Sequence, residues 1–442
     1  MEAYHTSRLL SEINLRHFNK KTMRIITTIS LFLISHLSTA QSPVIDSIFM
    51  GAGYANQIYY KLGSGQTGQQ IAADWHLAVS VQPSIPPTQT LQGTTIRING
   101  GYGIELYKVS DTDSSGFNTL DNANNIANWQ QLRDDYTNWD EGCLNSTRST
   151  TEPFDYGWGK YLGNPSYNVV GDSIYVLKTP TGNYKKLWVK KLQFDTLWQI
   201  VVANLDNSNT FQLSFSKTAQ GYAGKNFVYI NADNGTIANS EPAEGWDLLF
   251  GKYVDEVAPG LVYPVTGVLT NKSVKTAKAY PVDISSVAYA DYETQLGNSI
   301  STIGYTWKVF ANGVFSIEDS LVYYVKLANG AAYRLRFLDF RSTDGMAKFE
   351  LQPVSFGASV SAVSAAFDWS FSPNPVTDQL NINSSARINR IYISDISGRL
   401  LFAVNNLNQK SGNISVSSLP KGLYLITLET IEGTSTGKLI KD

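Results

Sequence analysis

Apolar residues in this chain fall in short runs, alternating or continuous, separated by Gly, Asn and Asp. Ile58-Tyr59-Tyr60-Lys61-Leu62, Phe227-Val228-Tyr229-Ile230, Tyr175–Lys178 and Val322–Lys326 are such runs. Aromatic and β-branched residues in runs of this length predict strands. Tyr175–Lys178, Thr179–Gly182 and Asn183–Leu192 read together as a hairpin with a short turn. One stretch, Asp121–Tyr136, sets Trp129, Leu132 and Tyr136 at helical spacing and predicts the best helix candidate. The predicted fold class is therefore all-β.

The runs repeat in order. Ile58–Leu62, Gly65 and Asp74-Trp75-His76-Leu77-Ala78-Val79 have a counterpart in Phe227–Ile230, Gly235 and Trp246-Asp247-Leu248-Leu249-Phe250. Tyr175, Gly182 and Tyr184 are matched by Tyr323, Gly330 and Tyr333, and a polar turn then leads into a trailing strand in both copies. Self-similarity of this kind points to duplicated structural units. Two β-rich units are expected, at about 55–217 and 222–353, with His76 aligned to Asp247.

The N-terminus has a different pattern. Arg16, Lys20, Lys21 and Arg24 precede the apolar run Ile25–Leu37, and Ser38-Thr39-Ala40 supplies small residues. This predicts an N-terminal extension and secretory signal peptide over 1–40, with Met23 as the better start and cleavage after Ala40. The run is shorter than the roughly 20 apolar residues a membrane helix needs. Composition then narrows the chemistry. The 442 residues hold 35 Lys+Arg against 37 Asp+Glu, four His, four Met and one Cys. A net charge of -2 provides no basic face for nucleic acid. One Cys excludes an intrachain disulfide and any multi-cysteine metal site. Loss of residues 1–40 leaves His76 as the only His, and Met50 and Met346 as the only Met.

After the small-residue linker 354–368, a third pattern begins. Short alternating strands at Leu380–Ile382, Arg390–Ile393, Arg399–Val404, Gly412–Val416, Gly422–Leu428 and Gly437–Ile440 predict a compact β-sandwich over 369–442. Phe371–Ile382, Ile393–Leu401, Leu419–Leu428 and Lys438-Leu439-Ile440-Lys441 resemble the C-terminal sorting domain of type IX secretion cargo. The positions matching that family's motif are Pro373, Asn374, Pro375, Asp378, Gly422, Tyr424 and Lys438. The resemblance implies an Ig-like fold, a Bacteroidetes-type source and passage through the periplasm. It also implies two partners, the type IX translocon and a sortase-like protease that removes the domain. The protein is then expected to be secreted or held on the cell surface.

The repeats carry a second resemblance. The order Tyr–Gly–Trp-(His/Asp)-Leu, then Arg97-Ile98-Asn99-Gly100-Gly101, then Tyr-Val-Leu-Lys…Gly…Tyr-Lys-Lys is similar to the HmuY family of secreted haemophore-like proteins. The second copy lacks a clear Arg-x-Asn-Gly-Gly. The resemblance implies an all-β fold and haem as the possible bound group, held by axial His or Met side chains. His76 and Met346 are the candidates for that role.

Other chemistry finds less support. A Ser-His-Asp hydrolase needs a His base, and only His76 remains. Asp134-Asp135 and Asp140-Glu141 read as solvated loops, and Asp111–Gly116 as a polar turn, since Asn122 stands where a calcium loop needs its last acid. Gly100-Gly101-Tyr102-Gly103 has no following helix to cradle phosphate. Trp129, Trp139 and Trp158 lie in polar stretches and are the expected aromatic platform if one exists. No enzyme is expected. The leading reading is extracellular ligand capture like a haemophore; the alternative is an adhesin or glycan-binding module without haem.

Overall fold

A computed structural model describes residues 43–84, 91–354, 367–395 and 399–442. The expected signal peptide and most of the expected linker lie outside them. The chain divides into two compact units, Thr39–Val354 and a C-terminal unit beginning at Ser355. The described residues are all-β, built from antiparallel sheets.

The two expected units are one body, and the reason is strand exchange. Asn56–Lys61 opens the first segment, and it pairs with Leu248–Ala258 of the second. Phe227–Ile230 opens the second segment, and it pairs with Leu77–Ser80 of the first. Each segment's first strand thus completes a four-stranded sheet with the other's third strand. Alternation distributes the side chains. Leu77, Val79, Val228 and Ile230 face a core shared with Tyr175, Leu187 and Trp198 of an eight-stranded sheet. Ile58, Tyr60, Leu248 and Phe250 face a second core shared with Tyr323, Leu335 and Phe349 of a five-stranded sheet. The intervening residues Tyr59, Ala78, Phe227, Tyr229 and Leu249 meet Trp75 and Trp246 in a central aromatic seam. Strands buried on both faces read as unbroken apolar runs, which is why these do.

The seam is reciprocal. The Tyr59 ring packs on Trp246 at 5.5 Å and the Tyr229 ring on Trp75 at 5.1 Å. The two phenol oxygens meet at 3.1 Å.

The 121–136 helix does not form. A 3-10 turn occupies Ile126–Asn128 and a strand Gln130–Leu132. The stretch is rich in Asn and Asp, whose side chains bond the local backbone, as Asn122 Oδ1 does with the Asn124 N–H.

In the C-terminal unit, two of the expected short strands fuse into one, Gln379–Asp395, broken in register between Asn383 and Ile388. It pairs with Trp369–Ser372, Leu400–Ser415 and Gly422–Thr430, and Gly433–Lys441 forms the edge. Leu380, Ile382, Ile391, Ile393, Ile426 and Leu439 fill its core.

Candidate functional site

The Arg-Ile-Asn-Gly-Gly segment organises a corner of the larger body. Arg97 is buried, and its guanidinium donates to the carbonyls of Asp135, Asn138, Trp139 and Glu141. It lies 3.9 Å from the buried Asp134 carboxylate and stacks on Tyr136 and Trp139. Burial pushes the Asp134 carboxyl up, against the pull of Arg97 and of the N–H groups of Cys143 and Ile98. The bent loop 134–141 is thus wrapped around one cation. Asn99 follows, donating to the carbonyls of Ala72 and Trp75.

Gly100 and Gly101 then let another chain segment approach. A Cβ on Gly101 would sit 2.2 Å from the Lys252 carbonyl oxygen, and one on Gly100 would sit 2.9 Å from Val254 Cγ2. Only the start of Leu248–Ala258 pairs with Asn56–Lys61. The rest continues with Leu261–Thr270 as a two-stranded ribbon beyond that sheet. The two glycines seat this ribbon against the corner. Between them lies a cleft of about 260 Å³. Ile98, Ile104, Leu132, Val254, Val262 and Pro264 make it largely apolar, and Tyr136, Glu105, Arg133 and Asp134 add polar groups. Burial alone would raise the Glu105 carboxyl, but hydrogen bonds from Tyr107 and Lys178 hold it below the ordinary range. Burial and that same carboxylate push the Tyr107 phenol up to about 12.

The residues expected to bind haem stand elsewhere. His76 is buried, its Nδ1 accepts the Ala232 N–H at 2.9 Å, and burial lowers its pKa. Asp247, its counterpart, accepts the Leu62 N–H at 2.8 Å. Both backbone amides also match: His76 N–H donates to Ile230 and Asp247 N–H to Tyr60. His76 is therefore a strand-end cap, the same device as a carboxylate in the second copy. Met346 is buried at the start of the Met346–Pro353 strand, in register with Phe49 and next to Met50, whose N–H donates to Gly345. It belongs to the five-stranded sheet and His76 borders a four-stranded one, so the two do not converge.

The expected tryptophan platform is not exposed. Trp129, Trp139 and Trp158 are buried, and their indole N–H groups donate to Asp111, Thr270 and Thr94. Asp111 also accepts from Asn125, and Asp113 turns back on Ser115. Sequence reasoning missed the aromatic residues that do face solvent nearby, Phe154, Tyr167 and Phe194. Their signal is an aromatic beside Pro, Asn or Asp: Pro153-Phe154, Tyr167-Asn168 and Phe194-Asp195.

The sorting-motif residues converge in the C-terminal unit. Asn374 donates to the Lys438 carbonyl and accepts the Ile440 N–H, both at 2.8 Å. Pro373 and Pro375 flank it. The Asp378 carbonyl accepts the Val416 N–H, and the Tyr424 hydroxyl, two residues after Gly422, donates to Pro420.

Residues 370–442 match the family described as the secretion system C-terminal sorting domain. This domain addresses the protein to the type IX secretion machinery, and the protein is exported to the cell surface or secreted. No curated protein matches the chain. Among solved structures, apo PinO from Porphyromonas gingivitis is similar, with 11% identity and a TM-score of 0.25, over 71% of this chain and 98% of that one.

Proposed function

We propose that the exported body is a non-enzymatic capture protein. It takes a small, planar, mostly apolar ligand edge-on between the 251–264 ribbon and the Ile98–Leu132 wall. One observation carries this reading: a ribbon that overhangs its sheet is seated by two glycines over an apolar cleft with a few polar groups. Concave, mostly apolar sites with few polar groups suit small ligands. Glu105 is tied to Lys178, and Asp134 faces Arg97, so neither carboxylate is free as a base.

The haemophore resemblance makes a porphyrin the first ligand to try, as cargo. The residues do not fit an axially ligated iron. His76 and Met346 lie outside the cleft, and burial raises the pKa of the one phenol in its lining, Tyr136, away from the phenolate. Recognition then rests on the ring and not the metal.

Titration of the exported chain with haemin and with metal-free protoporphyrin, followed by tryptophan quenching, tests this. Both are expected to bind at micromolar concentration with similar affinity, and Val262→Arg to weaken both. Absence of quenching by either porphyrin sinks the reading. So does a haemin spectrum that changes in His76→Ala or Met346→Ala, because that would place the iron on those side chains.

A further inference from the structure

A second surface, built from different residues, has a chemistry of its own. The strands Gly159–Tyr161 and Asn168–Gly171 form a small hairpin at the margin of the eight-stranded sheet. Along it lie Phe154, Leu162, Tyr167 and Phe194, exposed by 51%, 56%, 46% and 54%. Hydrogen bonds fix their order. The Tyr161 N–H donates to Phe154, and the two rings lie 5.8 Å apart. Leu162 N–H donates to the Asn168 carbonyl, and Phe194 N–H to the Asn168 side chain. Asn168, next to Tyr167 in the chain, thus ties the backbones of Leu162 and Phe194 together.

Two of these rings stand on unusual backbone. Tyr167 has φ 50° and Phe194 φ 51°. Asn or Gly adopts the left-handed region readily, and bulky residues seldom do. A turn that needed only its shape would be served better by Asn at either position. The choice of aromatics there points to use of the rings.

Beside Phe154 opens a polar cleft of about 390 Å³, lined by Asn138, Glu141, Arg148, Ser149, Asp155 and others. Most of its charges are paired locally, and the remaining carboxylate, Asp155, accepts the Ser149 and Gly157 N–H groups. Arg148 faces Glu141 at 3.4 Å, Lys160 pairs with Glu152 at 3.0 Å, and Lys272 pairs with Asp140 at 2.5 Å. Such a cleft draws neither cation nor anion strongly, but it offers many hydrogen-bonding groups.

We propose that this row of rings and the cleft at its end bind an uncharged polysaccharide chain. A pyranose ring has apolar C–H faces that stack on aromatic rings and equatorial hydroxyls that pair with amides and carboxylates. Spaced rings along an edge suit a repeating polymer, and the paired charges suit a neutral one. The site is independent of the ribbon cleft.

Affinity electrophoresis of the exported chain in native gels containing hydroxyethylcellulose, galactomannan or laminarin tests the assignment. At least one polymer should retard the protein. Phe154→Ala should weaken retention several-fold, and the double variant Tyr167→Asn/Phe194→Asn should abolish it. That double variant relieves the backbone, so its melting temperature should hold or rise while binding is lost. No retardation by any of the three polymers overturns the proposal. Retention unchanged in the double variant does so too, as does a variant that instead dissociates an oligomer in light scattering.

Discussion

Two segments of the larger body that share an order of apolar runs perform the same local task with different side chains. At the end of the partner strand the first uses His76 and the second Asp247. Both place a Trp one residue earlier, against the other's Tyr. Both use an Asn whose side chain donates to that Trp's carbonyl, Asn99 in one and Asn271 in the other. The Asn99 N–H donates to His76 and the Asn271 N–H to Asp247. Where the architecture alone is at stake, the copies agree in geometry. They part at Arg97, where the second copy has Leu269, and at Gly100-Gly101, where it has Lys272-Ser273. Those departures build the corner and seat the ribbon. The shared positions hold the fold, and the differing ones shape the cleft.

The sharpest way to break this contrast is Arg97→Ala. Four carbonyls lose their donor and the buried Asp134 loses its cation, so a loss of about 3–5 kcal/mol is expected in urea unfolding. Replacing Arg97 by Leu and Asp134 by Asn together should recover part of it, since Leu269 fills the position equivalent to Arg97 and Asn keeps an uncharged oxygen for the Cys143 and Ile98 N–H groups. A double variant no more stable than Arg97→Ala would argue against the equivalence.

Gly101→Ala comes next. Its Cβ would meet backbone at 2.2 Å, so the ribbon must shift, at about 1–3 kcal/mol. Porphyrin quenching should fall with it. Ser273→Ala, at the matching site, should change neither. Unaltered ligand binding by Gly101→Ala would separate the ribbon's seat from the cleft.

His76 provides a finer test. Its folded-state pKa lies below the ordinary value of about 6.5, because burial favours the neutral ring whose Nδ1 accepts the Ala232 N–H. Between the two values the unfolded chain binds more protons, so stability rises with pH there. The contribution is complete above about pH 6.5 and is lost as pH falls toward the folded value. His76→Ala should cost about 1–3 kcal/mol by orphaning that N–H. His76→Asp, the second copy's choice, should cost less and remove the pH step near 6.5. A step that survives in His76→Asp would assign it to another group. The smallest effect is expected from Tyr59→Phe, about 1 kcal/mol, because that hydroxyl also donates to the Gln70 amide oxygen; Tyr229→Phe should cost more, because its hydroxyl also donates to the buried Glu241 carboxyl. Equal losses would show that the Glu241 contact adds nothing to the seam.

Much of this was legible in the sequence, for identifiable reasons. Runs such as Phe227–Ile230 and hairpins such as Tyr175–Gln193 are local, and their pattern suffices to place them. The sorting motif is local too. Pairing partners are not: nothing in Ile58-Tyr59-Tyr60 says that, beside the local strand Gly65–Ile71, its other neighbour is Leu248–Phe250. Asn271 was invisible as a counterpart of Asn99, because Leu269-Thr270-Asn271-Lys272 shares only the Asn with Arg97–Gly100. The tryptophans misled because their polar neighbours suggest solvent, whereas the rings are buried and each indole N–H finds an oxygen, on buried Thr270 and Thr94 or on exposed Asp111. The cleft itself joins residues 98–136 to 254–264, a contact no periodicity reveals.

Strand exchange also sets a timetable. Asn56–Lys61 cannot complete its sheet until Leu248–Phe250 has been made, and Leu77–Ser80 must wait for Phe227–Ile230. Contacts so distant along the chain delay the gain from burial until loop closure is affordable. A ribosome that has delivered only the first half holds a chain with two half-built sheets and no finished core between them. The eight-stranded sheet, whose strands all lie between 105 and 216, can form early, while the two four-stranded sheets and the seam between them stay open until the second segment has followed the first.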